Sequence, residues 1–419
     1  MLITKPRGTN DFLPGDTERW HYLEDLLRKI CKEYGYHEIR TPIFEHTELF
    51  QRGVGETTDI VEKEMYTFLD RGERSITLRP EGTASTVRAY LEHKLFANPQ
   101  PVKLYYLGPM FRYEKPQAGR YRQFHQFGIE VFGSADPAVD AEVISLALEI
   151  YCRLGLKGLE VHLNSVGCPN CRPQHRERLH EFLKKELSGL CKDCQGRYQK
   201  NPLRILDCKN PHCQEISSGA PTIMQCLCSE CREHFHSVQE YLDLIGIKYV
   251  IDERLVRGLD YYTKTAFEII VQEIGAQSAI CGGGRYDGLV ESLGGQPTPG
   301  VGFALGMERI FPTLKTQGID IPVKNAMDVF IVTLGSEAGK KGFQLLTGLR
   351  REGIKAEKDY LNRSLKSQMK YADKFHVKYS IILGENELNK GVVLLRNMVT
   401  SKQEEIPLEN IIDFLKNIL

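Results

Sequence analysis

The 419-residue chain lacks net charge: 55 Lys and Arg offset 55 Asp and Glu. No whole-molecule basic field advertises nucleic acid, so any such surface must be local. It lacks an apolar run near the ~20 residues that a membrane helix needs. The first segment, MLITKPRGTNDFLPGD, has no apolar core of signal-peptide length. There is no internal repeat and no low-complexity stretch. These absences set aside membrane, solenoid and disordered classes and lead us to expect a cytoplasmic protein. In that compartment the twelve cysteines are expected as thiols or metal ligands rather than disulfides. What is present is ordinary globular composition, 41% hydrophobic and 26% charged. The length exceeds one simple core and predicts two or three domains.

The segment from Tyr105 to Gly133 organises the rest. YYLGPMFRYE and RQFHQFGIEVFG read as strands, and KPQAGRY between them reads as a loop, because Pro116 cannot donate to a ladder and Gly119 breaks a regular run. At period two, Phe124, Gln126, Gly128 and Glu130 share one face of the second strand, and His125, Phe127, Ile129 and Val131 the other. Arg112 and Glu114 share a face of the first. Such alternation often means only that one face is wet. The repertoire says more. Arg112 and Arg120 suit phosphate oxygens, Phe124 offers a stacking plate for a base, and Gln126 and Glu130 suit an amine or a ring N–H. These are the groups that hold a nucleoside triphosphate beside an amino acid.

Along the chain, Asp16 or Thr17 is the expected cap of a first helix carrying Leu23, Leu26, Leu27, Ile30 and Tyr34. Thr41–Glu45 reads as an extended edge or interface piece around Pro42. Ser75–Arg79 is a strand that Pro80-Glu81-Gly82-Thr83 turns into a helix reaching about Leu95. Glu81 and Thr83 there suit a ligand, or helix capping. Asp136-Pro137 opens a long helix, and residues 159–164 form a strand. From Cys168 to about Phe235 the chain is cysteine-rich, charged and mostly helical. Strand character returns at 249–251 and 266–271. Cys281 to Gly288, CGGGRYDG, reads as a tight turn, and Thr298–Arg309 as a strand feeding a helix. From Asn325 on, strands and helices alternate as in a small α/β sheet. That stretch holds 15 Lys and Arg against 12 Asp and Glu, a mild lean toward RNA.

The cysteines form their own pattern. Cys168-x2-Cys171 and Cys191-x2-Cys194 are separated by nineteen residues, a zinc-ribbon spacing. Cys208, Cys213, Cys226, Cys228 and Cys231 come later, so eight thiols suffice for two tetrahedral sites, with the partnering open and free thiols the alternative. Cys31, Cys152 and Cys281 are isolated and read as packing.

The chain resembles the histidyl-tRNA synthetases, a family of class II aminoacyl-tRNA synthetases, over essentially its whole length. Thr41-Pro42-Ile43-Phe44-Glu45 resembles motif 1, Arg112 through Glu130 motif 2, and Gly302 through Arg309 motif 3. Arg257-Gly-Leu-Asp-Tyr-Tyr262 and Gly282-Gly-Gly-Arg-Tyr-Asp-Gly288 resemble the family's two histidine-specific signatures. The implied fold is an α+β catalytic domain on an antiparallel sheet (1–167 and 246–322), a mostly helical insertion (168–245) and a C-terminal α/β anticodon-binding domain (325–419). The implied activity is histidine–tRNA ligation: L-histidine and ATP give histidyl-adenylate, which passes to the 3′ end of tRNA(His).

The resemblance also implies roles. Glu81, Thr83 and Gln126, with Gly82 between the first two, correspond to the set around the α-ammonium of histidine. Glu130 and Tyr262, beside Tyr261, correspond to the residues that read the imidazole. A site with polar groups on both ring nitrogens rejects apolar rivals by ~10⁴ or more without editing. Arg112, Glu114, Arg120, Phe124 and Arg309 correspond to the ATP site, with Arg112, Arg257 and Arg309 as the catalytic arginines and Arg257 also in the histidine site, facing the carboxylate and α-phosphate. Mg²⁺ is expected on the phosphates, and a structural Zn²⁺ on Cys168, Cys171, Cys191 and Cys194 is a candidate. A homodimer through the region of Pro42 is implied. So are acceptor-arm contacts by the insertion and contacts to the tRNA 5′ end by the loop near Gln117–Arg122. Two other readings are a non-catalytic regulatory subunit of histidine biosynthesis and an uncharged-tRNA sensor. The first typically degrades the signatures and lacks the C-terminal domain, and the second usually adjoins an output domain for which this length leaves no room.

Overall fold

The structure, a computed structural model, describes residues 2–117, 119–271, 279–322 and 327–419. It divides into two units, Met1–Ile321 and Pro322–Leu419. The expected boundary at Asn325 and residue 118 of the expected 5′-end loop lie outside the described residues. No helix among the described residues is long and apolar enough to cross a membrane.

The first unit is built on an eight-stranded sheet, in the order His37–Glu38, Val102–Phe111, Gln123–Phe132, Gly300–Gly306, Ala279–Arg285, Thr263–Val271, Leu159–Ser165, Tyr249–Ile251. The six central strands pair antiparallel, and only the short outer strands join in parallel. The expected hairpin is the heart of it. Met110 lies opposite Phe124 and Leu104 opposite Glu130, which puts Arg112 on the same face as Phe124, Gln126 and Glu130. The other face carries Phe127, Ile129 and Val131 into the main core. Helices Asp16–Glu33, Pro137–Arg153 and Ser229–Leu244 cover that side with Leu23, Leu27, Ile144, Ile150, Phe235 and Val238. Each such side chain contributes roughly 1.5–3 kcal/mol by leaving water. Asp136 caps the central helix at the Ala138 N–H, 2.9 Å away.

Several sequence expectations change. The first helix is closed by neither Asp16 nor Thr17: Gly15 precedes it, and the Glu18 carboxylate reaches back to the Gly15 N–H. Helix Thr83–Glu92 ends before Leu95. CGGGRYDG is no tight turn. Cys281 to Arg285 belong to an inner strand paired on both sides, because a strand squeezed between two others and approached closely by the Arg257 guanidinium needs residues without Cβ. The cysteine-rich helices do not end at Phe235 either. The last runs to Leu244, and its Val238 and Leu242 lie in the main core.

A smaller sheet of Phe44–His46, Ser75–Leu78 and Tyr66–Leu69 flanks the first. Buried Arg79 ties its extended lead-in to the hairpin, donating to the carbonyls of Thr41 at 3.0 Å and Pro109 at 2.9 Å. The second unit has a five-stranded sheet in the order Ala356–Lys358, Val329–Thr333, Tyr379–Leu383, Val392–Asn397, Gln403–Pro407. The first three strands are parallel and the last two antiparallel. Helices Ser336–Arg351 and Ile411–Ile418 cover one face, and Leu365–Lys374 supplies Ala372 to the other. The strand Gln403–Pro407 and the helix Glu385–Lys390 have too little apolar periodicity to read from sequence.

Candidate active site

A cavity of about 300 Å³ opens over the polar face of the hairpin. Glu81, Thr83, Arg112, Glu114, Arg120, Phe124, Gln126, Glu130, Arg257, Tyr261, Tyr262 and Arg309 all line it. Gly82 does not. Its missing side chain makes room for Tyr106, whose ring carbon would lie 2.2 Å from a Cβ there. It shapes the wall without facing the cavity.

One end is acidic and buried. Glu81 caps helix Thr83–Glu92, accepting from the N–H groups of Thr83 at 2.7 Å and Ala84 at 2.8 Å. Thr83 does not cap; its hydroxyl donates to Glu130 at 2.6 Å. The Tyr286 hydroxyl donates to the other oxygen of Glu130. Burial pushes the Glu130 carboxyl up to about 8, against the pull of Thr83 and Tyr286. Burial also raises Glu81, against the backbone N–H groups it accepts from. Glu130 fits because Gly302 faces it: a Cβ there would sit 2.2 Å from Oε2. Beside them, the buried Oε1 of Gln126 has no hydrogen-bond partner.

The other end is basic. The Arg112 Nε donates to the Pro80 carbonyl at 2.8 Å, and its guanidinium lies 5.4 Å from the Phe124 ring centre. Arg120 pairs with Glu114 at 3.1 Å. Arg309 reaches in from the turn after strand Gly300–Gly306, donating to the carbonyl of Ala279 at 2.6 Å and to that of Gly119 at 3.4 Å. Burial lowers its pKa, helped by the charge of Arg120. Arg257 pairs with Glu268 and lies 5.6 Å from the Tyr262 ring centre. Its path runs along the glycine strand: a Cβ on Gly282 would fall 2.3 Å from Nη2.

Sequence reasoning missed three residues that line this cavity and a fourth, Tyr106, that packs behind its wall against Gly82 and Gly128. Tyr286 lies inside a recognised signature, yet nothing in the pattern assigns it a role. Glu308, beside Arg309, accepts from the His125 N–H at 2.8 Å and binds its ring at 3.0 Å. Glu268 breaks an otherwise apolar strand, and that break is the signal that could have found it. Tyr106 looks like ordinary core. Conversely, Arg285 of the glycine signature faces away. Fully buried, it pairs with Asp140 and with Asp287 at 3.2 Å. Burial disfavours charge on Asp140, yet Arg285 holds its carboxyl below the usual range.

The cysteines sort differently from their order. Cys168 and Cys171 meet Cys228 and Cys231, while Cys191 and Cys194 meet Cys208 and Cys213. The set Cys168, Cys171, Cys191 and Cys194 is therefore not one site: the chain runs out through helix Arg172–Lys184 between its halves, and each half closes on thiols from further along. Cys31 and Cys281 are buried, the latter lining the cavity, but Cys152 is exposed and not a packing residue.

An antiparallel sheet with arginines and an aromatic plate over a hairpin face, followed by a separate mixed-sheet unit, places this molecule among the class II aminoacyl-tRNA synthetases. The family model described as histidyl-tRNA synthetase matches residues 8–310, and the one described as anticodon binding domain matches residues 328–418. The chain belongs to the histidyl-tRNA synthetase family. It is 65% identical over 416 residues to the histidine–tRNA ligase of Desulforamulus reducens, covering 99% of each chain. It superposes on the apo crystal structure of S. aureus histidyl-tRNA synthetase with a TM-score of 0.85 at 44% identity, covering 99% of this chain and 100% of that one. A structure described as an ATP phosphoribosyltransferase regulatory subunit/histidyl-tRNA synthetase, from Bacillus halodurans, shares the fold at 20% identity, with a TM-score of 0.64 over 92% of this chain and 99% of that one.

Proposed function

We propose that the cavity is where this ligase joins L-histidine to ATP, and that the resulting histidyl group then passes to the terminal ribose of tRNA(His). The observation that carries this reading is convergence. Three arginines separated by up to about two hundred residues of chain meet the Phe124 ring and the buried carboxyls of Glu81 and Glu130 in a single cavity.

Each residue has a part its surroundings support. The free Oε1 of Gln126, with Glu81 behind it, receives the α-ammonium. Glu130, oriented by Thr83 and Tyr286, meets one imidazole nitrogen, and Tyr262 lies across from it. Phe124 stacks on adenine, with Arg112 over the α-phosphate. Arg257 sits between carboxylate and α-phosphate, and Arg309 holds the outer phosphates. The carboxylate attacks phosphorus in line and pyrophosphate leaves. The protein supplies position and charge rather than covalent chemistry. A single well-placed donor on developing negative charge is worth about 10²–10³ in rate.

Mg²⁺ takes oxygen ligands and keeps several waters beside phosphates. The Glu114 and Glu268 carboxylates in the cavity wall suit that donor set, and the ion when bound would neutralise phosphate charge. The second unit is read as the anticodon-binding part, and residues 168–245 as contacts to the acceptor arm. A homodimer through the small sheet is supported by exposed Ile43, Phe44, Phe68 and Leu69 around it, a cluster that a second copy would cover. We place the protein in the cytoplasm.

Histidine-dependent ATP–pyrophosphate exchange with the twenty amino acids tests the reading. Exchange with histidine alone is expected. Absence of histidine-dependent exchange in a protein that still binds tRNA would establish a silent relative instead.

A further inference from the structure

Each cysteine group has the dimensions of a metal site. In the first group Cys168 Sγ lies 3.6 Å from Cys171 Sγ and 3.9 Å from Cys228 Sγ. In the second, Cys191 and Cys208 sulfurs are 4.0 Å apart. Within each group all four sulfurs lie within 4.8 Å of one another. A tetrahedral ion with zinc–sulfur bonds of about 2.3 Å sets its ligands about 3.8 Å apart. A disulfide needs roughly 2.05 Å, and a four-iron cluster, with each thiolate on its own iron, needs wider spacing than this. Both groups also direct backbone N–H groups at sulfur, as a thiolate favours. Cys228 N donates to Cys171 and Cys191 N to Cys213, each at 3.2 Å. Cys171, Cys194, Cys208, Cys213 and Cys231 are buried, and the cluster around Cys171 and Cys231 has only Ile223 and Leu227 as its other buried members, too little to hold itself together without a staple.

We propose that these eight cysteines hold two zinc ions in nested sites: Cys168, Cys171, Cys228 and Cys231 around one, and Cys191, Cys194, Cys208 and Cys213 around the other. Soft thiolates select zinc over the hard cations. The outer site pins the two ends of the helical segment together at its root. There Arg172, next to Cys171, donates to the Tyr262 carbonyl, and Val166 and Gly167 pair with Lys264. The inner site holds the helix Lys192–Lys200 and the short helix Leu203–Leu206 after it. From these turns Arg197 pairs with Asp59 at 2.8 Å, Asn201 donates to Asp260 at 2.8 Å, and Arg204 donates to the Arg257 carbonyl at 3.2 Å. Both ions therefore brace the Arg257–Tyr262 segment from behind. The bracing half of the proposal rests on the reading of that segment as part of the histidine site; the metal half does not.

Metal analysis of the full chain, purified without chelator, is expected to give two zinc per chain. Cys228→Ser/Cys231→Ser and Cys208→Ser/Cys213→Ser are each expected to leave one. One zinc or less in the unaltered protein, iron in its place, or a double variant that keeps both ions overturns the nested sites. Cobalt exchanged into the unaltered protein keeps the test valid if a variant fails to fold. The intense visible absorption of tetrahedral thiolate cobalt should saturate at two equivalents per chain, and saturation at one overturns the proposal. For the bracing, Cys208→Ser/Cys213→Ser should raise KM for histidine several-fold more than KM for ATP. Equal effects on both overturn that half alone, and exchange lost in the unaltered protein would instead remove the reading of the site.

Discussion

The buried carboxyl of Glu130 makes a quantitative prediction about histidine recognition. Burial holds its pKa at about 8, so its ionised form is disfavoured by roughly 5 kcal/mol relative to water. The substrate imidazole titrates near 6.5. At pH 7 the carboxyl carries a proton and the imidazole is mostly neutral, so one proton lies between them, as the hydrogen bond requires. Above pH 8 that proton is lost from the free enzyme, and binding must take one up. Below pH 6.5 both partners are protonated, and binding must release one. kcat/KM for histidine should therefore trace a bell, and the alkaline limb should cost about tenfold between pH 7 and pH 9. Glu130→Gln keeps the shape and removes the titration. The assay is the pH profile of histidine-dependent pyrophosphate exchange at saturating ATP, with both proteins side by side so that the substrate ammonium contributes equally. An unaltered alkaline limb in Glu130→Gln, or a flat wild-type profile to pH 9, would refute the reasoning. The same shift affects folding. A carboxyl whose folded pKa is raised contributes stability that is full below its unfolded value near 4.3 and is lost as pH rises through 8, so the Gln variant should resist unfolding better than wild type at pH 9.

Four further changes probe the rest. Arg257→Ala should leave histidine binding largely intact in equilibrium dialysis while cutting exchange by orders of magnitude; near-normal exchange removes its role. Gly282→Ala puts a methyl 2.3 Å from the Arg257 guanidinium and should reproduce much of that loss, with a modest fall in thermal stability as the guanidinium gives way. Phe124→Ala should raise KM for ATP by roughly 5- to 100-fold, the worth of one stacked base, with KM for histidine little moved. Asp140→Asn leaves fully buried Arg285 short of its main partner, a loss of about 3–5 kcal/mol, and should lower Tm sharply without changing either KM in the protein that remains folded.

Period and motif can encode only some of these features. The hairpin is legible in the sequence because two strands with opposite faces leave a period-two trace, and its register places Arg112 and Phe124 together as the alternation requires. The small second sheet is legible in the alternation of strands and helices from Val329 onward. The glycine strand is not. Glycines signal turns from sequence alone, whereas here they are the only residues that fit between Arg257 on one side and the carbonyl of Gly302 on the other. The cysteine pairing is hidden for a different reason. Spacing reports neighbours along the chain, and each group takes half its thiols from a return pass many residues later. Tyr286 escapes notice because a buried tyrosine looks like any core aromatic until its hydroxyl meets a carboxylate, and Tyr106 because its ring only fills the space that Gly82 and Gly128 leave.

The division of labour inside Gly282–Gly288 bears on how relatives of this chain are told apart. Arg285 is locked to Asp140, which also meets His234 at 3.4 Å, so this arginine knits three separate stretches of backbone whether or not anything is ever catalysed. A copy that had fallen silent would still need it in order to fold. Diagnosing a working ligase from sequence should therefore weigh Gly282, Arg257 and Glu130, which line the cavity, and should discount the most deeply interred letter of the signature.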